Sequence, residues 1–276
     1  MPELPEVETV KRTLQKLIVG KKITDVIVKW PKIIKRPDDI EEFRMKVIGQ
    51  SFKSVERRGK FLKLILEEDV IVSHLRMEGK YRVAQTEDES DHHTHVFFTF
   101  DDGTELRYHD VRKFGTMHLF PIGTEEDVLP LAKLGQEPFS SAFTVDVLRK
   151  GFQKTSRKVK TVLLDQTLVV GLGNIYVDEA LFKAFIHPER LASTLDDQEL
   201  QLLHTEIINT LKQAVDKGGS TIRSYVNSQG KVGTYQDNLF VYGRSGLACK
   251  ACSTLLEKKV VGGRGTTFCP TCQVSF

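Results

Sequence analysis

The spacing of apolar residues changes several times along the chain, and each change marks a different kind of element. Apolar side chains recur at helical spacing over residues 7–17, Pro5 suits a first turn and Gly20 ends the pattern, so the sequence predicts an opening helix. Short β-rich runs punctuated by turn residues follow as far as Pro121, and Asp102-Gly103 is a hairpin signal between two of them. The predicted strands are Ile23–Val28, Phe52–Arg57, Phe61–Leu66, Val70–Leu75, Tyr81–Ala84, His95–Phe100, Glu105–Tyr108 and Thr116–Phe120. One helix and then eight short strands indicate a β-sandwich or a flattened barrel.

Helical spacing returns after the glycine- and proline-containing break at Leu134–Pro138. The predicted helices are Val145–Phe152, Arg157–Leu164, Asn174–Phe185 and Asp196–Val215. Thr194-x-x-Asp197 resembles a capping box at the start of the longest helix, and Gly218-Gly219 ends it. The polar stretch Ser220–Asn238 has no period and is predicted to be a mobile loop.

These patterns together predict an α+β protein. A chain of 276 residues suits two domains with cores of their own and one small module. We place the boundaries at residues 1–134, 135–237 and 238–276. No apolar run is long enough to span a bilayer, and the acidic, proline-broken start at Met1–Glu6 does not resemble a signal peptide. We therefore expect a cytoplasmic protein.

The four cysteines occur as two Cys-x-x-Cys pairs with sixteen residues between them. The pairs are Cys249 with Cys252 and Cys269 with Cys272. This spacing is typical of a tetrahedral zinc site in which each pair forms a tight knuckle. Four thiolates leave the ion no open position, so one Zn²⁺ would be structural and would hold together a segment too short for its own core. Two disulfides in a secreted protein are the alternative reading of the same spacing.

Charge is distributed unevenly along the chain. Residues 217–276 contain eight basic and two acidic side chains, a net charge of +6, which leaves −3 for residues 1–216 out of a total of +3. A basic, metal-stapled tail on a mildly acidic body favours a polyanionic partner, most simply nucleic acid. The alternative is that these basic residues only solvate a small exposed module.

Pro2 is the first candidate for covalent chemistry. Removal of Met1 would leave a secondary amine that can attack an electrophilic carbon and form an iminium. With reference pKa values of about 7.7–8.0 for a terminal amine and about 10.4 for lysine, far more of the terminal amine is neutral at pH 7. Glu3 beside it can serve as general acid or base. Taken alone, Pro2 also fits a plain exposed terminus, and Glu3 fits an anion at a helix N-terminus.

Several further side chains are candidates that remain ambiguous when each is taken alone. Lys60 fits a solvated strand lysine, and the turn Gly171–Asn174 fits either a phosphate cradle or a helix cap. The histidines fit a second metal cluster or, more simply, contacts with solvent or phosphate: His74, His92, His93 and His95. Three more fit an ordinary core or surface: Met77, Arg112 and Phe114.

Taken in order, these motifs closely resemble formamidopyrimidine-DNA glycosylase, the bacterial base-excision enzyme for oxidised purines, over essentially the whole chain. The matching segments are Pro2–Glu8, Arg58–Lys60, Leu75–Met77, Asp110–Gly115, Leu164–Gln166, Gly173–Tyr176, Tyr242–Arg244 and the four-cysteine finger with Gly263–Thr266. The resemblance implies an N-terminal β-sandwich flanked by helices, a helical domain with a helix–two-turn–helix motif, and a C-terminal zinc finger. It also implies a monomer that binds damaged double-stranded DNA.

The resemblance further implies a role for each candidate residue. Pro2 would attack C1′ of the damaged nucleotide and form a Schiff base, with Glu3 as the acid or base beside it. Lys60 and Arg264 would assist β- and δ-elimination and bind phosphate. The remaining residues would contact DNA, and the last three of them would fill the space left by the flipped base: His74, His93, Asn174, Met77, Arg112 and Phe114. The 220–238 loop would close over that base.

Two rival hypotheses share many of these residues. An endonuclease VIII-like glycosylase has the same fold and Pro2-Glu3 but prefers oxidised pyrimidines, and the void-filling set argues against it. A non-enzymatic module would use the helical motif and the zinc finger only to hold a duplex. Pro2 separates that module from an enzyme.

Overall fold

The computed structural model describes residues 2–220 and 233–274. The chain forms two compact units, residues 1–133 with 218–234 and residues 134–217 with 235–276. We call them unit 1 and unit 2. The division into residues 1–134, 135–237 and 238–276 stays a prediction.

Unit 1 contains two β-sheets and two helices. Helix α1, Leu4–Ile18, opens the chain, and α2, Ile40–Val47, begins after the capping residue Asp39. Strands β1, β7, β8 and β6 form one sheet, and β2, β9, β5, β4 and β3 form the other, in those orders. The strands are β1 Ile23–Val28, β2 Ile34–Arg36, β3 Ser54–Arg58, β4 Phe61–Ile65, β5 Asp69–His74, β6 Lys80–Gln85, β7 Thr94–Phe100, β8 Thr104–His109 and β9 Thr116–Pro121.

A single apolar core joins α1 to both sheets. Leu14 of the helix lies in one cluster with Val26 and Phe98 of the first sheet and Leu64 and Ile71 of the second. All five side chains are fully buried. Two separate sheets around a common core make this unit a β-sandwich rather than a flattened barrel.

The eight strands predicted from the sequence are all present, with ends shifted by a residue or two. Two elements were missed. Strand β2 has only three residues and pairs in parallel with β9. It is therefore a strand because of a partner distant in sequence, and its own residues show no pattern that would predict it. Helix α2 has eight residues and buries only Phe43 and Val47, which is too short a stripe to stand out as a period.

Unit 2 is helical. Its α-helices are α3 Val145–Gln153, α4 Val159–Leu164, α5 Asn174–Lys183 and α6 Asp197–Asp216. Leu163, Val177 and Leu203 belong to its core, so α4, α5 and α6 all contribute to one cluster. The capping box of α6 is formed by Asp196 and Glu199, not by Thr194 and Asp197 as the sequence suggested, because Thr194 lies in a short 3₁₀ turn.

A β-hairpin completes the described part of unit 2. Strands β10, Glu257–Val261, and β11, Arg264–Phe268, pair antiparallel. Gly262 and Gly263 have φ values of 57° and 73°, which a two-residue type I′ turn requires. Arg264 is the first residue of β11 and follows this turn directly.

Of the predicted loop Ser220–Asn238, residues 221–232 lie outside the described residues. Tyr235–Asn238 forms a 3₁₀ turn in which Tyr235 is buried. Across residues 2–220 and 233–274, no helix is both long and apolar enough to cross a bilayer.

Candidate active site and metal centre

The predicted nucleophile and its neighbour lie at the buried start of α1. Pro2 is buried, and Glu3 is 3% exposed as the capping residue of the helix. Glu6 accepts the backbone N–H of Glu3 at 2.8 Å, and the two glutamates form a capping box. The helix cap therefore fixes the backbone on which Pro2 and Glu3 are carried.

Glu6 also binds a segment more than two hundred residues away. Its other oxygen, Oε1, accepts the backbone N–H of Ser220 at 2.7 Å. A side chain at Gly219 would lie 2.7 Å from the same oxygen, and Gly219 has a φ of 81°. A glycine is therefore required at this approach. No role was predicted for Glu6, which the sequence presents only as one residue of the segment Pro2–Glu8. Its position three residues after Glu3 is the spacing of a capping box.

Lys60 lies in the turn between β3 and β4 and is only 7% exposed. Arg57 connects this turn to α1, because its Nε donates to Glu8 at 3.0 Å and its Nη1 donates to the Gly59 carbonyl at 3.0 Å. Burial raises the pKa of Glu8, but the hydrogen bond from Arg57 and the charges of Lys11 and Arg57 outweigh it and lower that pKa overall. Glu8 is therefore a carboxylate that anchors the Lys60 turn to the helix behind Pro2.

His74 ends β5 and packs edge-on against Phe61, with ring centroids 4.5 Å apart. Burial, followed by the positive charges of Arg76 and Lys60, lowers the pKa of His74 to about 3. Its Nδ1 accepts the backbone N–H of Arg76 at 2.9 Å. The hydrogen of the neutral ring is therefore assigned to Nε2, which leaves a donor suited to an anionic oxygen.

The three predicted void-filling residues lie on two loops of unit 1. Met77 is 37% exposed in the β5–β6 connection, and Phe114 is 52% exposed in the β8–β9 connection. Arg112, also exposed, places its guanidinium 4.7 Å from the centre of the Phe114 ring. The structure thus brings Arg112 and Phe114 together on a single loop.

His93 precedes β7 and is half-buried. Its carbonyl accepts the backbone N–H of Asp110 at 2.9 Å, so it touches the loop that carries Arg112. The ring of His92 lies 3.8 Å from that of His93 at an angle of 43°, and the His109 ring lies 5.8 Å from that of His93. These rings do not form a metal cluster, since the only such group among residues 2–220 and 233–274 is the set of four cysteines.

Asn174 and Arg264 both lie in unit 2, and a hydrogen bond connects Asn174 to the hairpin that carries Arg264. Asn174 is the first residue of α5, and its Nδ2 donates to the Gly265 carbonyl at 2.8 Å, one residue beyond Arg264. Arg264 itself is exposed. The capping residue of α5 is Gly173 rather than Asn174.

A buried ion pair lies beneath the same hairpin. Lys160 Nζ is 2.6 Å from Asp178 Oδ1, and both side chains are fully buried. Asp178 Oδ2 accepts the backbone N–H of Thr267 in β11 at 3.1 Å. Burial raises the pKa of Asp178 to about 6, against the lowering effect of Lys160. Sequence reasoning missed this pair, because neither residue carries a local signal of burial.

The four cysteines meet at one point. Their sulfur atoms all lie within 4.8 Å of one another, with Cys249 to Cys272 at 4.0 Å and Cys252 to Cys269 at 3.5 Å. Four sulfurs at about 2.3 Å from a tetrahedral zinc would be about 3.8 Å apart, so the arrangement fits one ion. The cysteines are not disulfide-bonded.

Backbone amides complete the two knuckles. Ala251 N–H donates to Cys249 Sγ and Cys272 N–H to Cys269 Sγ, each at 3.4 Å. Such donors stabilise the negative charge that thiolates bring to a metal. The four ligands therefore form a closed structural centre.

A β-sandwich that begins with a buried Pro-Glu pair, and a helical unit that ends in a four-cysteine metal centre, define a two-unit zinc-finger protein. Three family models match the chain: the formamidopyrimidine-DNA glycosylase N-terminal domain over residues 1–117, its H2TH domain over 134–226, and the zinc finger found in FPG and IleRS over 246–274. The chain belongs to the formamidopyrimidine-DNA glycosylase family. The metal centre is its zinc finger, with one structural zinc ion.

Individual relatives agree over the full length. A formamidopyrimidine-DNA glycosylase of Bacillus licheniformis is 62% identical over 273 residues, which cover 99% of both chains. Lactococcus lactis Fpg, 42% identical, has been solved with DNA containing N7-benzyl-Fapy-dG and with DNA containing an abasic site. These structures match with TM-scores of 0.92 and 0.91 and cover 99% of this chain and all of theirs.

Proposed function

We propose that this chain is a DNA glycosylase of base excision repair that removes oxidised purines from duplex DNA and then cleaves the strand. Its substrates would be 8-oxoguanine and formamidopyrimidines. Family membership and the DNA complexes of the Lactococcus lactis relative support the substrate class. The observation that carries the chemistry is the burial of Pro2 and Glu3 at the capped start of α1.

Base removal follows from an amine at that position. Once Met1 is removed, the Pro2 nitrogen attacks C1′, and the bond from C1′ to the base breaks with its electron pair leaving on the base. The Pro2 nitrogen loses its proton after the attack, and the leaving base takes one up. Opening of the sugar ring, with a second proton added to O4′, then converts the adduct into an iminium. Glu3 is the group beside Pro2 that can give and take these protons.

Strand cleavage then needs no second nucleophile. The iminium withdraws electrons and acidifies the C2′ hydrogen, so loss of that proton expels the 3′ phosphate by β-elimination. A further proton loss expels the 5′ phosphate by δ-elimination. Lys60, held by Arg57 through Gly59, and Arg264 at the hairpin tip supply the positive charge that leaving phosphates require.

A base inside the stack cannot be reached, so it must be flipped out at a cost of a few kcal/mol. Met77 and Phe114 are exposed apolar side chains suited to fill the gap, and Arg112 offers donors to the orphaned base. His74, His93 and Asn174 would contact the DNA backbone. The neutral His74 ring, whose Nδ1 is occupied by the Arg76 amide, has an Nε2–H that could donate to a phosphate oxygen.

Borohydride trapping on damaged duplex tests the proposal directly. The wild-type protein should form a covalent protein–DNA adduct, because borohydride reduces the iminium to a stable amine. Pro2→Gly, or a tag placed ahead of Pro2, should reduce trapping strongly. Mass spectrometry gives the state of the terminus, and full activity with Met1 still present would refute the mechanism.

Two outcomes would favour the rivals. Duplex binding without any adduct would point to a non-enzymatic module. Faster incision at dihydrouracil than at 8-oxoguanine opposite cytosine would point to an endonuclease VIII-like preference. We expect 8-oxoguanine to be incised much faster.

A further inference from the structure

The two loops that carry the void-filling residues meet at a single side chain. The first wedge loop is residues 75–79 and carries Met77, and the second wedge loop is residues 110–115 and carries Arg112 and Phe114. Each has one residue in the left-handed region, Arg76 with φ 53° and Lys113 with φ 57°. Such a conformation persists only where the surroundings fix the backbone.

The hydroxyl of Tyr108 occupies the side-chain space of a glycine in each loop. A Cβ added at Gly79 would lie 2.2 Å from Tyr108 Oη, and one added at Gly115 would lie 1.6 Å from it. Both distances are far below contact, so neither loop tolerates a side chain there, and at Gly79 the Leu75 carbonyl would lie only 2.6 Å from the added Cβ as well. Tyr108 is fully buried on β8. Its position therefore sets how closely the two loops approach.

Asp110 fixes the second wedge loop to the same point. Its carboxylate is fully buried and accepts the N–H of Arg112 at 3.1 Å through Oδ1 and that of Gly115 at 2.8 Å through Oδ2. The Tyr108 hydroxyl is directed at Oδ2 from 3.5 Å. Burial and the Asp110 charge raise the pKa of Tyr108 well above its usual value, so the hydroxyl keeps its proton and remains a donor.

The residues that hold the two loops are buried, and the residues that would enter the base stack are exposed. Tyr108 and Asp110 are inaccessible to solvent, whereas Met77 and Phe114 are 37% and 52% exposed. A rigid, buried base beneath exposed apolar side chains is what an inserted wedge needs, because unstacking DNA costs a few kcal/mol that a loosely held side chain cannot offset.

We propose that Tyr108 and Asp110 are positioning residues that couple the two wedge loops, so that Met77, Arg112 and Phe114 enter the base stack as one unit. The proposal rests on the proposed function. It extends that function to two residues that touch neither the base nor the sugar. Neither Tyr108 nor Asp110 takes part in the chemistry at Pro2.

The first experiment compares two substrates for Tyr108→Phe and Asp110→Asn. Single-turnover excision of 8-oxoguanine opposite cytosine should fall about tenfold, because the wedge is misplaced. Borohydride trapping on a preformed abasic duplex, which has no base to extrude, should stay within about threefold of wild type. A wild-type protein that fails to trap would refute the proposed function. Equal losses on both substrates would refute only the coupling.

Tyr81→Phe is the matched control. Tyr81 is a buried tyrosine on the neighbouring strand, 5.1 Å from the Tyr108 ring, but its hydroxyl donates to Ser73 at 2.8 Å. Its removal should leave excision and trapping unchanged. Thermal unfolding of all variants checks the fold. If Tyr81→Phe and Tyr108→Phe lose excision equally, the hydroxyl of Tyr108 has no special role.

A double-mutant cycle supplies a readout that simple destabilisation would not move. In the wild-type background, the losses from Met77→Ala and Phe114→Ala should be non-additive by about threefold or more, because the two loops share one anchor. In the Tyr108→Phe background the two losses should become additive. Equal coupling in both backgrounds would overturn the proposal.

Discussion

His74 gives the protein a specific sensitivity to acid. Its pKa is lowered from 6.5 to about 3, first by burial and then by Arg76 and Lys60. At pH 7 the ring is neutral whether the chain is folded or unfolded. As the pH falls below 6.5, His74 becomes protonated in the unfolded chain but stays neutral in the folded protein. Between pH 6.5 and about 3, the free energy of unfolding therefore decreases by about 1.4 kcal/mol per pH unit.

His74→Asn should remove that dependence, because the Asn oxygen can still accept the Arg76 amide but does not titrate. Urea unfolding at pH 7 and pH 5 should show about 2 kcal/mol less acid destabilisation in the variant than in the wild type. His92→Asn, at an exposed ring, is the control and should keep the wild-type dependence. The same acid sensitivity in His74→Asn would contradict the low pKa.

Single residues also show where sequence reasoning reaches its limit. The cysteine spacing was sufficient to predict the metal centre, since a short Cys-x-x-Cys pair closes locally. Glu6 and Tyr108 were not recognised as special. The partners of Glu6 include Ser220, and Tyr108 meets Gly79 and Gly115, so their importance exists only after distant segments have come together.

The hairpin that carries Arg264 depends on the ion pair beneath it. Asp178→Asn would remove the negative charge that opposes the buried Lys160 ammonium and should lower the free energy of unfolding by about 3–5 kcal/mol. The Asn oxygen still accepts the Thr267 amide, so the loss would be electrostatic. In the double variant Lys160→Met, Asp178→Asn the buried positive charge is gone as well, so most of the lost stability should return. Chemical denaturation of the single and double variants measures this, and no recovery would contradict the account.

Predictions of helices and strands agreed with the structure where neighbouring residues alone determine the element. They failed where the element depends on residues distant in sequence or on a choice between two similar caps. Strands β4 and β5 were predictable because apolar runs are bounded by turns on both sides. Strand β2 owes its place to parallel pairing with β9, and the cap of α6 depends on which of two acidic residues closes the box. Neither the pairing of β2 nor the cap of α6 follows from the spacing of apolar residues, which repeats every 2 residues in a strand and every 3.6 in a helix.

Removal of zinc should affect the two units differently. Structural zinc contributes on the order of 10–16 kcal/mol to the folding of small modules, whereas unit 1 has a sandwich core of its own. A strong chelator, or Cys269→Ser, should therefore unfold the finger and abolish duplex binding while unit 1 keeps its β-sheet circular dichroism. Elemental analysis should give one zinc per chain before treatment and none after it. Full affinity for the duplex without metal would contradict this prediction.

The hydrogen bond from Ser220 to Glu6 spans 214 positions of the chain. At ribosomal speeds of 5–20 residues per second, its two ends are synthesised roughly 10–40 s apart. A nascent polypeptide that has just emerged past α1 thus holds a carboxylate whose second partner has not been made. The capped start of α1, which holds Pro2 and Glu3, therefore gains its contact with Ser220 only after more than two hundred further residues have been made.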